Sequence, residues 1–123
     1  MIFGIGTDII EVDRIKDAVE KYGERFKNRI FTEKEQEYCD SFNDNKFQHY
    51  AARFAAKEAF SKAIGTGITR GFKFRDVEVR NEINGKPFVN LYGETAEKYG
   101  AYLIHISLSH TNNNAVACIV MEM

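Results

Sequence analysis

The sequence predicts an α+β fold in which an antiparallel sheet packs around one long central helix. A helical pattern runs from Lys46 to Ile64, and segments rich in Ile and Val lie at both ends of the chain. Turn signals join strand-like segments directly to each other. Strands connected by short turns pair antiparallel, so we expect hairpins rather than alternating strand and helix units.

Size, charge and cysteine content limit the kind of molecule this chain can be. Its 123 residues, 44% hydrophobic and 28% charged, fit a single domain over residues 1–123. A formal net charge of −1 gives no support for nucleic-acid binding through overall charge. Cys39 and Cys118 lack metal-finger spacing, and no apolar run approaches about 18 residues, so we expect a cytoplasmic protein without membrane contact.

The N-terminal part of the chain predicts one strand followed by two helices. Residues 2–12 are rich in Ile and Val and predict the first strand. Apolar residues at helical spacing then cover 15–26, with Gly23 as a candidate end of this helix. Thr32 and Glu35 have the spacing of a capping box, which predicts the start of a short second helix.

After the central helix and a glycine-containing connection, the sequence predicts two hairpins and a helix. Residues 72–82 alternate in polarity and are followed by a turn at 84–87, NGKP, and a strand at 88–92. Residues 93–100 predict a helix. Residues 103–122 predict two strands joined by an asparagine-rich turn.

The central helix carries charges on a flank that otherwise looks apolar. At about 100° per residue, Glu58 and Lys62 lie on the side of Phe54, while Phe60 and Ile64 make the opposite side apolar as well. We therefore expect both charges to be partly buried, where they need a partner or a ligand. The simpler alternative is a helix-stabilising pair four residues apart, worth about 0.2–0.5 kcal/mol.

Asp8 is the carboxylate most suited to act with Glu58. It follows Gly4 and Gly6, which allow another backbone or a ligand to approach closely. One carboxylate on a strand and one on a helix suit Mg²⁺, which commonly binds one or two carboxylates plus phosphate and water oxygens. The alternative is that Asp8 only accepts backbone hydrogen bonds. The segment GIGTDII lacks the third glycine of a dinucleotide-binding fingerprint.

The segment SLSHTNNN places His110 and Thr111 at the tip of the last hairpin. A histidine there can contact phosphate or carry a proton, or it can simply be solvated. Ser107 and Ser109 lack the GxSxG context of a serine hydrolase. We expect His49 to lie on the surface of the central helix.

These motifs together resemble the holo-[acyl-carrier-protein] synthase family, the short bacterial type of 4′-phosphopantetheinyl transferase. The K-E-A-x-x-K run gives most of the specificity, and the motifs keep the family's order over nearly the whole chain. They are GIGTDI at 4–9, FT at 31–32 with Glu35, RFAAKEAFSKA at 53–63, GTG at 65–67, NGKP at 84–87 and SLSHT at 107–111.

The resemblance implies transfer of 4′-phosphopantetheine from coenzyme A to a serine of apo acyl carrier protein, in fatty acid biosynthesis, with release of adenosine 3′,5′-bisphosphate. It implies Asp8 and Glu58 as ligands of a Mg²⁺ cofactor and Lys62 as a catalytic cation beside the diphosphate. Glu58 is the candidate base for the serine proton, with Asp8 as the alternative.

The resemblance also implies how substrates and subunits are arranged. It predicts a homotrimer with active sites at the subunit interfaces, where His110 and Thr111 reach coenzyme A held mainly by a neighbouring chain. The basic residues Arg14, Lys21 and Arg25 would bind the acidic carrier protein. The expected coenzyme A-binding residues are Arg53, Ser61, Lys62, Gly65, Gly85, Lys86, Pro87, His110 and Thr111.

Two other functions remain open at the level of sequence. The chain could be a Mg²⁺-dependent phosphohydrolase that uses Asp8 and Glu58 to activate water. It could also be a non-enzymatic module whose basic helix at 14–27 binds an acidic protein. In that module the pair formed by Glu58 and Lys62 would only be structural.

Overall fold

The computed structural model describes residues 1–65 and 73–123, and within them it has five α-helices and five strands. The N-terminal elements are β1 (Ile2–Glu11), α1 (Val12–Tyr22), α2 (Glu24–Ile30), α3 (Glu33–Asp40) and α4 (Lys46–Ile64). After residue 73 follow a 3₁₀ turn (Phe74–Asp76), β2 (Val77–Asn81), β3 (Pro87–Leu91), α5 (Gly93–Tyr99), β4 (Leu103–His110) and β5 (Asn114–Glu122). The predicted glycine-containing connection lies largely outside the described residues.

Helix α4 is the centre of the domain, as predicted, and has the predicted bounds. Six alanines of α4 are buried on several sides of the helix, because neighbouring elements pack closely against it: Ala51, Ala52, Ala55, Ala56, Ala59 and Ala63. The helix ends at Gly65, whose left-handed φ of 82° suits glycine. The Gly65 N–H donates to the carbonyls of Ser61 and Lys62 at 3.1 and 3.2 Å.

A three-stranded antiparallel sheet covers one side of α4, in the order β1–β5–β4. The register places Asp8 of β1 opposite Ala117 of β5, and Leu108 of β4 on the other side of Ala117. Ala117 and the alternate residues of β5 are buried against the helix. A second sheet consists of β2 and β3, with Asn81 opposite Pro87. The predicted α+β class and both hairpins are confirmed.

The backbone of β1 packs directly on the backbone of α4. A Cβ atom on Gly6 would lie 1.9 Å from the carbonyl oxygen of Ala59, and one on Gly4 would lie 2.0 Å from that of Ala63. Only glycine permits this approach. Asp8 follows on the same side of the strand, so the two glycines bring its carboxylate against the helix.

We expect Gly6→Ala to destabilise the fold, because its methyl group would overlap the Ala59 carbonyl. The strand or helix must shift, which should cost about 1–3 kcal/mol or more. Urea unfolding followed by circular dichroism measures this change. Thr7→Ala, on the exposed side of β1, is the control and should change the free energy of unfolding little. An equally stable Gly6→Ala protein would contradict this packing.

Two predicted elements have different bounds in the structure. The helical pattern over 15–26 forms two helices, and the candidate helix end at Gly23 is confirmed, because Gly23 takes a φ of 61° between α1 and α2. Residue 72 of the strand expected over 72–82 lies outside the described residues. Phe74–Asp76 instead form a 3₁₀ turn, in which the Asp76 N–H donates to the Lys73 carbonyl at 2.9 Å, and the strand begins at Val77. No helix in the described residues is long and apolar enough to cross a membrane.

Candidate functional site

Asp8, Glu58 and Lys62 meet where β1 crosses the C-terminal half of α4. Lys62 Nζ donates to Asp8 Oδ1 at 3.2 Å and to the carbonyl of Thr7 at 2.9 Å. Burial raises the pKa of Glu58, the nearby carboxylate of Asp8 raises it further, and Lys62 lowers it. The structure therefore brings together the two carboxylates and the cation that the sequence predicted to act together.

The prediction of partial burial is confirmed for Glu58 and is wrong for Lys62. Glu58 is half-buried, whereas 56% of the Lys62 side chain is exposed. Lys62 lies in the last turn of α4, and its side chain is exposed although the following residues Ala63 and Ile64 are buried. Its side chain extends back along the helix toward Asp8, the direction that helical side chains favour. An exposed ammonium beside a carboxylate can turn toward a phosphate.

The chemistry of the carboxylate pair fits a divalent cation. The pKa of Glu58 is raised partly by the charge of Asp8, and a bound cation would relieve that repulsion. Within residues 1–65 and 73–123, no group of three or more His, Cys, Asp or Glu side chains is placed to hold a metal. Asp8 and Glu58 would thus provide two oxygen ligands, a number common for Mg²⁺ sites completed by phosphate and water.

Ser61 and Gly65 lie at the same end of α4 as Lys62. The Ser61 side chain is buried, and its hydroxyl donates to the carbonyl of Glu58 at 2.6 Å. This hydrogen bond occupies the hydroxyl proton, so only the lone pairs of Oγ are left for other contacts. Gly65 is exposed and presents backbone without a side chain.

A second group of predicted residues is organised by Arg53 and Asn81. Arg53 is 1% exposed, donates from Nη2 to Asn81 Oδ1 and lies 4.4 Å from the ring centroid of Tyr38. In the described residues, Arg53 Nε is a buried donor without a hydrogen-bond partner. Asn81 Nδ2 donates to the carbonyl of Gly85 at 3.0 Å. Asn81 thus joins Arg53 to the NGKP turn, and sequence reasoning missed it.

The NGKP turn is tight and leaves the side chain of Lys86 exposed. Gly85 has a φ of 91°, and the Lys86 N–H donates to Asn84 Oδ1 at 3.0 Å. Pro87 begins β3 opposite Asn81. Between α3 and β2 lies a cleft of about 450 Å³. Its lining residues are Lys34, Glu37, Tyr38, Ser41, Arg53, Val79, Arg80 and Asn81.

A third group lies near the N-terminal half of α4. His110 ends β4, and its ring centroid is 5.6 Å from that of His49. The expected surface position of His49 is wrong, since His49 is half-buried and stacks on Phe42 at 3.8 Å. Burial, then Arg53 and His110, lower the pKa of His49 to about 4. Thr111 Oγ1 accepts from the N–H groups of Asn113 and Asn114 at 3.3 and 3.1 Å.

The order and spacing of these motifs match a known family over nearly the whole chain. The model of the 4′-phosphopantetheinyl transferase superfamily matches residues 4–120. The chain belongs to this superfamily.

Relatives in this superfamily cover almost the full length of the chain. A holo-[acyl-carrier-protein] synthase of Ruminiclostridium cellulolyticum is 50% identical over 122 residues, 97% of this chain and 91% of the relative. The solved synthase of Neisseria meningitidis has a TM-score of 0.87 and 35% identity, with 100% of both chains covered. That of Bacillus anthracis, in complex with CoA (3′,5′-ADP), has a TM-score of 0.83 and 42% identity, covering 99% and 97%.

The basic residues predicted to dock the carrier protein of this transferase are exposed, but they do not share one helix. Arg14 and Lys21 lie on α1, and Arg25 lies on α2 beyond the break at Gly23. The basic helix expected over 14–27 is therefore interrupted between Lys21 and Arg25. Lys27 lies outside this set, since its side chain is 13% exposed and binds Asp40 at 3.4 Å.

Sequence reasoning also missed the buried Glu–Lys pair of this transferase. It is formed by Glu35 and Lys57, both fully buried, and the distance between Glu35 Oε1 and Lys57 Nζ is 2.9 Å. The available signal was the spacing of Arg53, Lys57 and Ser61 at intervals of four residues among alanines. Because α4 carries buried alanines on several sides, other elements pack closely around it, and the side chains of Arg53, Lys57 and Ser61 are buried by those elements.

Proposed function

We propose that Asp8, Glu58 and Lys62 catalyse the transfer of 4′-phosphopantetheine from coenzyme A to a serine of apo acyl carrier protein. The contact that carries this assignment is the 3.2 Å pair of Lys62 Nζ and Asp8 Oδ1 beside the half-buried Glu58. The serine oxygen bonds to the phosphorus that carries pantetheine. The bond from that phosphorus to the bridging oxygen breaks, and adenosine 3′,5′-bisphosphate leaves.

Glu58 is the proposed base that takes the serine proton. A raised pKa makes its carboxylate a better proton acceptor near neutral pH than an ordinary glutamate. Asp8 is the alternative base. Since Lys62 Nζ lies 3.2 Å from Asp8 Oδ1, the ammonium partly neutralises Asp8, whereas burial makes the charge of Glu58 costly. This contrast favours Glu58.

Lys62 is the proposed cation for the leaving phosphate. An exposed ammonium on a flexible stem can follow negative charge as it grows on the bridging oxygen. We propose Mg²⁺ as the cofactor, held by Asp8 and Glu58, where it would neutralise charge on the diphosphate. The protein's own work is then to hold, align and neutralise the diphosphate and to accept one proton.

The remaining predicted residues are proposed to bind coenzyme A. Arg53, Lys86 and His110 supply positive charge or donors for phosphate groups, and Ser61, Gly65, Gly85, Pro87 and Thr111 supply close contacts. The holo-[acyl-carrier-protein] synthase of Helicobacter pylori, 28% identical, was solved in complex with coenzyme A, with a TM-score of 0.85. This complex, together with that of the Bacillus anthracis protein, supports coenzyme A as the donor substrate.

We propose a homotrimer in which active sites lie at the subunit interfaces. His110 lies opposite Ala115 of β5, and Ala115 lies opposite Ile10 of β1. His110 is therefore two strands and two residues away from Asp8, roughly 12 Å between Cα atoms at about 4.8 Å per strand and 3.3 Å per residue. This separation favours a role for His110 and Thr111 at the site of a neighbouring chain.

The outer face of the three-stranded sheet offers a surface for that assembly. Ile5, Ile9, Leu103 and Val116 are 61, 66, 59 and 39% exposed, on strands β1, β4 and β5. An apolar face of this kind is costly in water and favours contact with another chain. Sedimentation equilibrium of the pure protein measures the assembly state, and a monomer at micromolar concentration would contradict the trimer.

We expect Arg14→Glu to weaken binding of the carrier protein. Acyl carrier proteins are acidic, so reversal of an exposed charge on α1 replaces attraction by repulsion. The KM for the carrier should rise about tenfold or more at low salt, and the KM for coenzyme A should stay unchanged. Initial rates at several salt concentrations measure both constants.

Lys16→Glu is the matched control for this charge reversal. Lys16 is also exposed on α1 but lies about 200° around the helix from Arg14. Lys16→Glu changes the net charge as much as Arg14→Glu does, and it should raise the KM for the carrier much less. Equal effects of the two variants would place the docking surface elsewhere.

The mass of an apo carrier protein incubated with coenzyme A, Mg²⁺ and this protein tests the function directly. A gain of one phosphopantetheine group is expected. Hydrolysed coenzyme A without a change in carrier mass would instead support the phosphohydrolase. Binding of the carrier without any reaction would support the non-enzymatic module. The product would be the holo-carrier of fatty acid biosynthesis, and we propose the cytoplasm as its location.

A further inference from the structure

The buried cation Lys57 lies directly before the proposed catalytic residue Glu58 on α4. Its Nζ atom donates to Glu35 Oε1 at 2.9 Å, to the carbonyl of Phe74 at 3.0 Å and to the carbonyl of Val77. These three acceptors use all three protons of the ammonium. The ammonium of Lys57 therefore makes all of its hydrogen bonds within the protein and has no donor left for a ligand.

The carboxylate of Glu35 also makes its hydrogen bonds within the protein. Its Oε1 accepts from Lys57 and from the N–H of Thr32 at 2.9 Å, which completes the predicted capping box of α3. Its Oε2 accepts from the N–H of Val79 at 2.9 Å. The pair of Glu35 and Lys57 thus connects helices α3 and α4 to strand β2 through hydrogen bonds that are all shielded from water.

Strand β2 is held to α4 at both of its ends by cations of the helix. Lys57 binds the carbonyl of Val77 at the first residue of β2, and Arg53 binds the side chain of Asn81 at the last. The two cations are one helical turn apart, so β2 runs opposite to α4. Asn81 in turn holds the carbonyl of Gly85 at 3.0 Å. The NGKP turn is therefore connected to α4 through β2.

We propose that the buried pair of Glu35 and Lys57 positions the NGKP turn relative to Glu58 and Lys62 for coenzyme A binding. The inference rests on the proposed function of that turn. Both residues are positioning residues, because their hydrogen bonds are made within the protein. A pair kept only for stability could be replaced by apolar side chains of similar size at a cost in stability alone, because the backbone groups of Thr32, Val77 and Val79 would lose their partners. A pair kept for position cannot, since apolar contacts do not fix the height of β2 along the helix.

The test compares coenzyme A binding in the wild type and in Glu35→Leu/Lys57→Met. The double variant removes both charges, whereas a single variant would leave one unpaired buried charge and impair folding. We expect a folded protein whose Kd and KM for coenzyme A rise about tenfold, because a misplaced turn loses oriented contacts. The KM for the carrier should not change. Calorimetry gives Kd, and the NMR position of the Gly85 amide should shift without ligand.

Cys39→Ala is the matched control, since Cys39 is fully buried on α3 yet lies outside this hydrogen-bond network. It should lower the melting temperature and leave both coenzyme A constants and the Gly85 amide unchanged. If the double variant does not fold, Asn81→Ala decides, because it cuts the same connection at the far end of β2. It should raise the Kd for coenzyme A to a similar extent.

An unchanged Kd in the folded double variant, or in Asn81→Ala where that variant decides, would overturn the positioning role. An equal rise in Cys39→Ala would also overturn it, since general destabilisation would then be the cause. A wild type that binds coenzyme A without transferring phosphopantetheine would contradict the proposed function, while the Kd comparison would still decide the role of the pair. A wild type that does not bind coenzyme A would overturn both.

Discussion

Replacement of Glu58 by Gln is expected to lower the transfer rate by about 10³-fold or more, since it removes a carboxylate proposed to act as base and metal ligand. The amide keeps the size of the side chain but binds neither a proton nor a cation well. The measurement is the initial rate of holo-carrier formation, followed by mass, at saturating coenzyme A and Mg²⁺. A rate equal to that of the wild type would contradict both proposed roles.

The same variant should not lose stability. The pKa of Glu58 is raised above its usual 4.5 by burial and by Asp8, so the folded state disfavours the ionised carboxylate at neutral pH. A neutral amide removes this penalty, and the melting temperature of Glu58→Gln should equal or exceed that of the wild type. Glu97→Gln, an exposed glutamate of α5, is the control and should change neither property.

The proposed base also predicts the pH dependence of the wild type. A base acts only when deprotonated, so the rate should fall as the pH falls through the pKa of Glu58, which a bound cation would lower because it relieves the repulsion from Asp8. Initial rates measured at decreasing pH test the assignment. The remaining activity of Glu58→Gln should lack this decrease, because the titrating group is gone.

Local sequence signals were sufficient for the bounds of α4 and for the two hairpins. The end of α4 depends on Gly65, and the β2–β3 hairpin depends on the NGKP turn between the strands. In each case the deciding residues are neighbours in sequence. Gly4 and Gly6 also predicted a close approach, which is why Asp8 was correctly placed beside α4.

The buried pair could not be predicted from helical spacing, because it depends on contacts distant in sequence. Lys57 is buried by β2, whose residue Val77 is 20 positions away, while Lys62, five positions further along α4, is exposed. The helical period shows which residues share a face but not which element covers that face. The same holds for Arg53, since its partner Asn81 is 28 positions away and belongs to no local motif.

Replacement of Lys62 by Met should lower kcat by about 10²-fold and raise the KM for coenzyme A much less. The ammonium now contacts Asp8 at 3.2 Å and the Thr7 carbonyl at 2.9 Å, so it already has partners before substrate arrives. It gains most when charge grows on the leaving phosphate, and an interaction that strengthens in the transition state acts on kcat. Steady-state kinetics with varied coenzyme A separate the two constants.

Lys98→Met is the matched control, because Lys98 is also an exposed lysine in the last turn of a helix. Lys98→Met should leave kcat and KM unchanged. The melting temperatures of the two variants should be similar, because Lys62 is 56% exposed and its pair with Asp8 contributes little to stability in water. Lys62→Met could instead leave kcat unchanged, lower kcat/KM and raise the dissociation constant of coenzyme A by the same factor. That result would show that Lys62 binds coenzyme A only in the ground state. In that case the leaving phosphate would have to be neutralised by other groups, and Arg53, whose Nε donor lacks a partner among the described residues, would be the next side chain to test.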